Sequence, residues 1–521
     1  MTNVKMTRRQ LALLASQAMV AGPALAWAAK FSGLAAMPAA DQSSKAGAPV
    51  YVVLWFDTED YILPASDDAA LRLANFLTAQ GVRANFKVVG EKARVLETRH
   101  RTDLIAALNR HEIGYHSNTH SQQPTIAVYE SVLDWEQGAA EFDRRERAGF
   151  DDIARIFGRA PSCFGQPGSS WAPQAYPALK KWGVRVYLDD GKHVGLDGKP
   201  FWYGGLLNIF NIDAGRGLEP NDDWTNLPAA KDYFTSLHSQ FSAQPTGGLV
   251  SFMFHPTQFV SQRFWDAVNF SNGANPPRSE WKFQPQLTHA QSEQAFQYFE
   301  ALIRHIKSLP NVHFITASEA LTLYRDAAQS RNFSPDELMA IAAQVTPQVS
   351  FQTRESYTLS ASEIFALLNS FVARHINKAS DPIILKETPY GPSSAAFDAQ
   401  SNQIAEVSWS QFSRTVLDVD HSIRRRNQIP NAIWLGSAAV SPESYLLALA
   451  SAAKQIPGKQ PPPESIKILP AELAAGQWIA KDSPSIWKWP IFPQGFHAPH
   501  LMELARLQSW TIKPALLPAI R

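Results

Sequence analysis

Two histidines four residues apart, His116 and His120, sit in "HEIGYHSNTH" directly after a short strand-like run. The pair alone is weak, because the chain has 14 His in 521 residues and short motifs match by chance. Its weight comes from ionisable groups elsewhere. Asp57, Glu59 and Asp60 close the apolar run "VYVVLWFDTED", Asp189 and Asp190 close "VRVYLDD", and His255 closes "LVSFMFH". In parallel α/β proteins functional residues gather at the C-terminal ends of strands. Two imidazoles and one carboxylate leave open positions on a divalent metal ion. Such an ion lowers the pKa of a water and polarises a carbonyl. A second carboxylate can take the water's proton, and a separate His can protonate the leaving group. Asp57 and Glu59 point to one face if the strand persists to Glu59. One divalent ion is therefore expected, zinc before Co, Ni, Fe or Mn.

The elements that must position these residues alternate. Strand-like "VYVVLWFD", "ANFKVVG", "HEIGYH", "PSCFGQ", "VRVYLDD", "LLNIFNID", "LVSFMFH" and "NVHFIT" are interleaved with helical patterns such as "SDDAALRLANFLTAQG" and "AQSEQAFQYFEALIRHIKSL". Ser66 is the expected cap of the first helix, and Gly81 its stop. Alternation of this kind implies an α/β fold with a parallel sheet or barrel. A long aromatic insertion, residues 257–286, interrupts it, and a loop of that length usually covers or shapes a site. Beyond about residue 327 the pattern becomes helical. "LSASEIFALLNSFVARHI" and "SWSQFSRTVLDVDHSIRRR" each read as an amphipathic helix starting at a Ser. The tail from about 467 is rich in Trp and Pro, without periodicity.

Composition bounds the partners. Hydrophobic residues make up 45% and the formal charge is +1, so a substantial core is available and no strong electrostatic case exists for nucleic acid. The start, "TRRQLALLASQAMVAGPALAWAAK", has Arg8 and Arg9, a short apolar run, and small residues at Ala24, Ala26 and Ala28. It reads as a cleaved export signal of twin-arginine type, too short for a membrane span. An exported protein, periplasmic or extracellular, without integral membrane contact after cleavage, is expected. Cys163 is the single cysteine, so no intramolecular disulfide can form, and a small buried apolar role suits it.

"FDTED", "HEIGYHSNTH", "GQPGSSW", "YLDD" and "FMFH", in that order, with "ANFKVVGE" between the first two, resemble the motif series of the polysaccharide deacetylases, carbohydrate esterase family 4. The resemblance covers residues from about Val50 to Tyr324. It implies a distorted (β/α) barrel and metal-dependent removal of N-acetyl groups from amino sugars. It gives Asp57 as catalytic base, His116 and His120 as metal ligands, and His255 as general acid. Glu59 is the implied carboxylate ligand with Asp60 in reserve, and Asp189 the residue that orients His255. Gln166, Pro167, Gly168 and Trp171 fall in the substrate-binding stretch; Tyr61, Trp171 and Trp265 suit a sugar subsite or the core equally. One departure matters. Gly165 stands where the family carries an Arg that steadies the base. Either another basic group serves, or substrate and mechanism differ.

The segment "SWSQFSRTVLDVDHSIRRRNQIPNAIWLGSAAVSPESYLLALASAAKQI" resembles a pseudomurein-binding repeat, and "YTLSASEIFALLNSFVARHI" with "TPYGP" a partner repeat. Docking on a cell-wall glycan is implied; a helical domain that merely packs on the barrel is the plainer alternative. The organisation expected is an export signal at 1–29, a leader at 30–48, a deacetylase-like catalytic domain at 49–326, a linker at 327–350 and a smaller, mainly helical C-terminal domain at 351–521. The leading function is deacetylation of an N-acetylated polysaccharide. The alternatives are a catalytically weak glycan-binding protein on the same scaffold and a metal amidohydrolase for a non-sugar amide.

Overall fold

The apolar run at Val50–Thr58 forms strand β1, at the centre of the molecule. Its side chains alternate, as the pleat requires. Val50, Val52, Leu54 and Phe56 enter one core, while Val53 and Trp55 enter another on the opposite face. Asp57 falls in the same alternate series as Trp55. The computed structural model describes residues 47–189, 191–210, 218, 223–395, 405–456 and 462–518. The expected export signal, most of the leader, and Asp190 lie outside them.

Beside β1 lie β2 (Asn85–Val88), β3 (Glu112–Tyr115), β4 (Cys163–Phe164), β5 (Val186–Asp189), β6 (Phe201–Tyr203), β7 (Leu206–Phe210), β8 (Gly248–Phe254) and β9 (Val312–Phe314). The order across the sheet is β6-β7-β5-β4-β3-β2-β1-β8, with β9 alongside the first half of β1. All these pairings are parallel except the β6–β7 hairpin. A strand from the far end of the chain, Lys513–Pro514, adds antiparallel to β6. The result is a curled mixed sheet, a distorted (β/α) half-barrel. The hairpin turns on Gly204 and Gly205, both at positive φ, a conformation that glycine adopts without steric cost.

Helices shield the outer face. Pro64–Ala79 buries Ala70, Leu73, Ala74 and Leu77. It starts at Pro64 with Leu63 as cap rather than at Ser66. Proline supplies the helical φ at the first position, and the Ser66 hydroxyl donates instead to the Asp60 carbonyl at 3.0 Å. The C-terminal region builds a second core from Pro335–Ala343, Ala361–Ile376, Trp409–Arg426 and Pro442–Gln455. Ser334, Ser360, Ser408 and Ser441 cap these four helices, each accepting from the backbone N–H three residues on. Leu338, Ile341 and Ala342, within the stretch expected as linker, are buried in that core.

The aperiodic tail returns to the barrel. Trp487, Phe492, Leu501, Met502 and Ile512 are buried in the barrel core, and Trp510 in the helical one. At the junction, buried Lys513 lies 2.7 Å from Asp326 and 2.8 Å from Glu363. The described residues thus pack as one compact unit. No helix among the described residues is long and apolar enough to cross a membrane.

Candidate metal and catalytic site

The strand ends converge as their order in the sheet dictates. Glu59 follows β1 by one residue; its Oε2 lies 3.1 Å from His116 Nε2 and 2.7 Å from His120 Nε2. All three residues are buried. Each imidazole is turned by a partner on its other nitrogen. His116 Nδ1 is 2.8 Å from the Gly165 carbonyl, so that nitrogen donates and Nε2 carries a lone pair. His120 Nδ1 is 2.6 Å from Ser121 Oγ, and that hydroxyl donates onward to Asp266 Oδ2 at 3.3 Å. These assignments follow from the bonding partners. Two lone pairs and a carboxylate oxygen therefore face one another. The His120–Glu59 contact, though close, lacks hydrogen-bond geometry, and His120 Nε2 has no hydrogen-bond partner among the described residues. Three acceptors crowded together without a proton between them fit a divalent cation, and the backbone and hydroxyl partners are the outer support such histidines need. The three ligand atoms lie mutually within 4.8 Å. Trp265 Nε1, from the long insertion, fixes the second oxygen of Glu59 at 2.8 Å.

The electrostatics agree. Burial holds His116 below the ordinary imidazole pKa and so keeps it neutral, the form that ligates. Burial pushes Glu59 up, but the imidazoles of His120 and His116 beside it outweigh burial and hold Glu59 well below the usual carboxylate range.

Asp57 stands beside this cluster. His255 Nε2 lies 3.6 Å from its Oδ2, and His116 Nδ1 3.7 Å from its Oδ1. Burial alone would raise its pKa, but His116, Lys87 and His255 together lower it. Lys87 is the cation that the sequence did not disclose. It is the register partner of Asp57 on β2, is almost wholly buried, and places Nζ 2.8 Å from Asp57 Oδ1. Trp55 flanks it at 3.8 Å from the ring centroid, and the Leu188 carbonyl accepts its bond at 3.2 Å. Gly165 makes this possible. A Cβ there would come within 2.1 Å of Lys87 Nζ and 2.4 Å of the Leu188 oxygen. Gly114 clears the stem in the same way, since its Cβ would lie 2.9 Å from Lys87 Cγ.

The other expected residues divide. His255, at the end of β8, is oriented by Gln258 Oε1, 3.2 Å from Nδ1. Asp189 accepts from Gln166 Nε2 at 2.5 Å, and Gln166 in turn accepts from Tyr187 at 2.7 Å. Asp60, the reserve ligand, is used elsewhere. Its oxygens take the backbone N–H groups of Ile62 and Leu63 and the side chains of Thr257 and Gln284, at 2.6–3.0 Å. It organises the turn after β1 and anchors the insertion. Gln166 and Gly168 line the cavity in front of Asp57 and Glu59. Trp171 takes the core reading: it is fully buried and stacks on His193 at 5.2 Å. Pro167 is likewise absent from the cavity wall. Tyr61 and Trp265 pack edge to face at 4.8 Å inside the protein, and Cys163 is buried.

Lys192, Phe264, Asp266, Trp489 and Pro490 complete that wall, and none was evident from sequence. Asp266, buried beside the metal cluster, is pushed up to about 7 by desolvation and then by the Glu59 charge.

No protein-family model matches the sequence, and no curated protein matches it. Solved structures show distant structural similarity. A polysaccharide deacetylase from Mycobacterium smegmatis, described as putative, is 15% identical over 55% of this chain and 93% of its own, with TM-score 0.35. A 4-alpha-glucanotransferase from Thermococcus litoralis is 15% identical over 53% of this chain, with TM-score 0.37; the match spans 40% of that protein's length. A carbohydrate esterase family 4 pseudoenzyme from Bacillus anthracis is 13% identical over 51% of this chain and 69% of its own, with TM-score 0.26.

Proposed function

We propose that the protein is a metal-dependent amide hydrolase of deacetylase type, removing acetyl groups from N-acetylated amino sugars of a cell-wall glycan. The observation that carries this is the convergence of Glu59, His116 and His120 on one point, with Asp57 and His255 3.6 Å apart beside it. A divalent ion held by Glu59, His116 and His120 would supply Lewis acidity, polarising the amide carbonyl and acidifying a water. Asp57, kept ionised by Lys87, takes the proton of the water that attacks the carbonyl carbon. His255, its Nδ1–H held by Gln258 Oε1 and its Nε2 turned toward Asp57, takes at Nε2 the proton that Asp57 received from the water and gives it to the departing nitrogen as the C–N bond breaks. Acetate and a free amine result.

The alternative of a catalytically weak glycan-binding protein rests on the missing Arg, and Lys87 supplies a cation at the base in its place. The sugar as substrate, the cell wall as location and export across the membrane rest on the motif series and on the N-terminal pattern. The C-terminal helices are proposed to dock the enzyme on its glycan. In their favour stands a cleft of about 680 Å³ that includes Arg374, Lys386, Asp420 and Arg424 in its lining.

The test is direct. Purified protein, loaded with zinc or cobalt, should bind about one ion per chain and release acetate from N-acetylated oligosaccharides. His116→Ala should lose the ion and the activity together. Full metal occupancy in that variant would remove His116 from the ligand set.

A further inference from the structure

The cavity in front of the cluster is small, about 300 Å³, at the low end of the roughly 300–1,000 Å³ typical of small-molecule sites. Its walls come from four parts of the chain: the strand ends, the loop carrying Gln166 and Gly168, the insertion with Phe264 and Asp266, and the tail with Trp489 and Pro490. The tail wall is built in. Trp489 Nε1 donates to Asp266 Oδ2 at 3.1 Å, and the indole meets His120 edge-on at 5.5 Å. Gly168 has φ 50°, and a Cβ there would sit 2.5 Å from the Trp489 ring, so the loop leaves room for the indole and nothing more. On either side the tail is tied down. Asn272 and Gly273 donate to the Pro490 and Ile491 carbonyls at 2.8 and 3.0 Å, and Gln123 Nε2 donates to Ile491 O at 3.0 Å. Ile491 is fully buried against Tyr61 and Trp265.

We infer that Trp489 sets substrate size: the site takes one small acylated unit, a free amino sugar or the end of a chain, and excludes the interior of a polymer. An interior unit needs open space on two opposite sides of the reacting acetyl group. Here the tail fills one of them. A single ring fits the volume, with a half-buried indole as an apolar surface beside it. The inference rests on the reading of the metal and acid–base groups given above.

Two measurements test it. The first maps products by mass spectrometry on N-acetylglucosamine and on chitin oligomers of two to six units. Wild type should act on the monomer or the terminal unit alone, with KM independent of length. Trp489→Ala should gain at least about tenfold on interior units, a gain that a misfolded variant could not show, whereas Trp489→Phe should keep the terminal pattern. Interior deacetylation by wild type, a KM that falls with chain length, or no gain in Trp489→Ala overturns the inference. The second needs no turnover. The visible spectrum of the cobalt-loaded protein is followed with acetohydroxamate and with a hydroxamate carried on the interior of a dextran chain. Wild type should respond to the small probe alone and Trp489→Ala to both; an equal response of wild type to both overturns the inference. If no acetylated sugar is hydrolysed, the proposed substrate fails, and the cobalt spectra still decide the size limit.

Discussion

At the scale of single residues the decisive pairing is Lys87 with Gly165. A lysine buried in a parallel strand is costly unless paired, and Asp57 is the group that pairs it. Lys87→Met should keep the bound metal and lower kcat by about tenfold to a hundredfold, with KM changing less; metal content and steady-state kinetics check both. A variant that retained full kcat would deny Lys87 its part in holding the base. The pair also explains why a side chain is missing at 165. A residue larger than glycine there and a lysine at 87 claim the same volume, so the sequence can place its cation on β2 or after β4, but not on both. The candidate metal ligands were legible from spacing, because His116, His120 and Glu59 sit at strand ends. Lys87 was not, since it lies inside a strand and its partner is known only once the register Asp57↔Lys87 is known.

At the scale of elements, the short helix Ile126–Glu130 carries a buried carboxylate in an awkward place. Among the described residues neither Glu130 oxygen has a hydrogen-bond partner, and a Cβ on Gly138 of the next helix would come within 2.2 Å of Oε2. Burial, then the charges of Glu141 and Glu146, push Glu130 up to about 9. At neutral pH it is protonated in the folded chain and ionised in the unfolded one, where Glu titrates near about 4.3. Folding stability attributable to this group therefore falls as pH rises from about 4 to about 9, since the folded state binds more protons. Glu130→Gln should raise Tm by a few degrees at pH 8 and by less at pH 5, as calorimetry at the two values would read. An equal effect at both would mean that Glu130 does not titrate as described. Among the elements themselves, β1 to β5 and β7 to β9 were visible as apolar runs. The three-residue β6 was not, because "FWY" is too short to show a period, and its pairing comes from the glycine turn. The serine-started helices were visible because a cap and an apolar stripe are both local signals.

At the scale of the whole molecule, the tail was the least legible part. "IWKWPIF" has neither period, and each of its aromatics is placed by surfaces made elsewhere in the chain. Yet those residues belong to the barrel core and to the wall of the site. Removing residues 472–521 should therefore abolish a cooperative thermal transition of the barrel as well as activity, whereas independent domains would leave the barrel's transition in place; calorimetry on the shortened protein distinguishes them. Lys513 adds to this, since it joins the end of the barrel to the helical core through Asp326 and Glu363. A consequence reaches back to synthesis. Domains generally fold as they leave the ribosome, the N-terminal ones first. In this chain the last strand of the sheet and the indole over the metal cluster are translated late, after the whole helical region. A nascent barrel must wait, with one edge bare and its reactive centre open, until some two hundred further residues have been made after β9. A chaperone that shields that edge during translation is what such an order of assembly calls for.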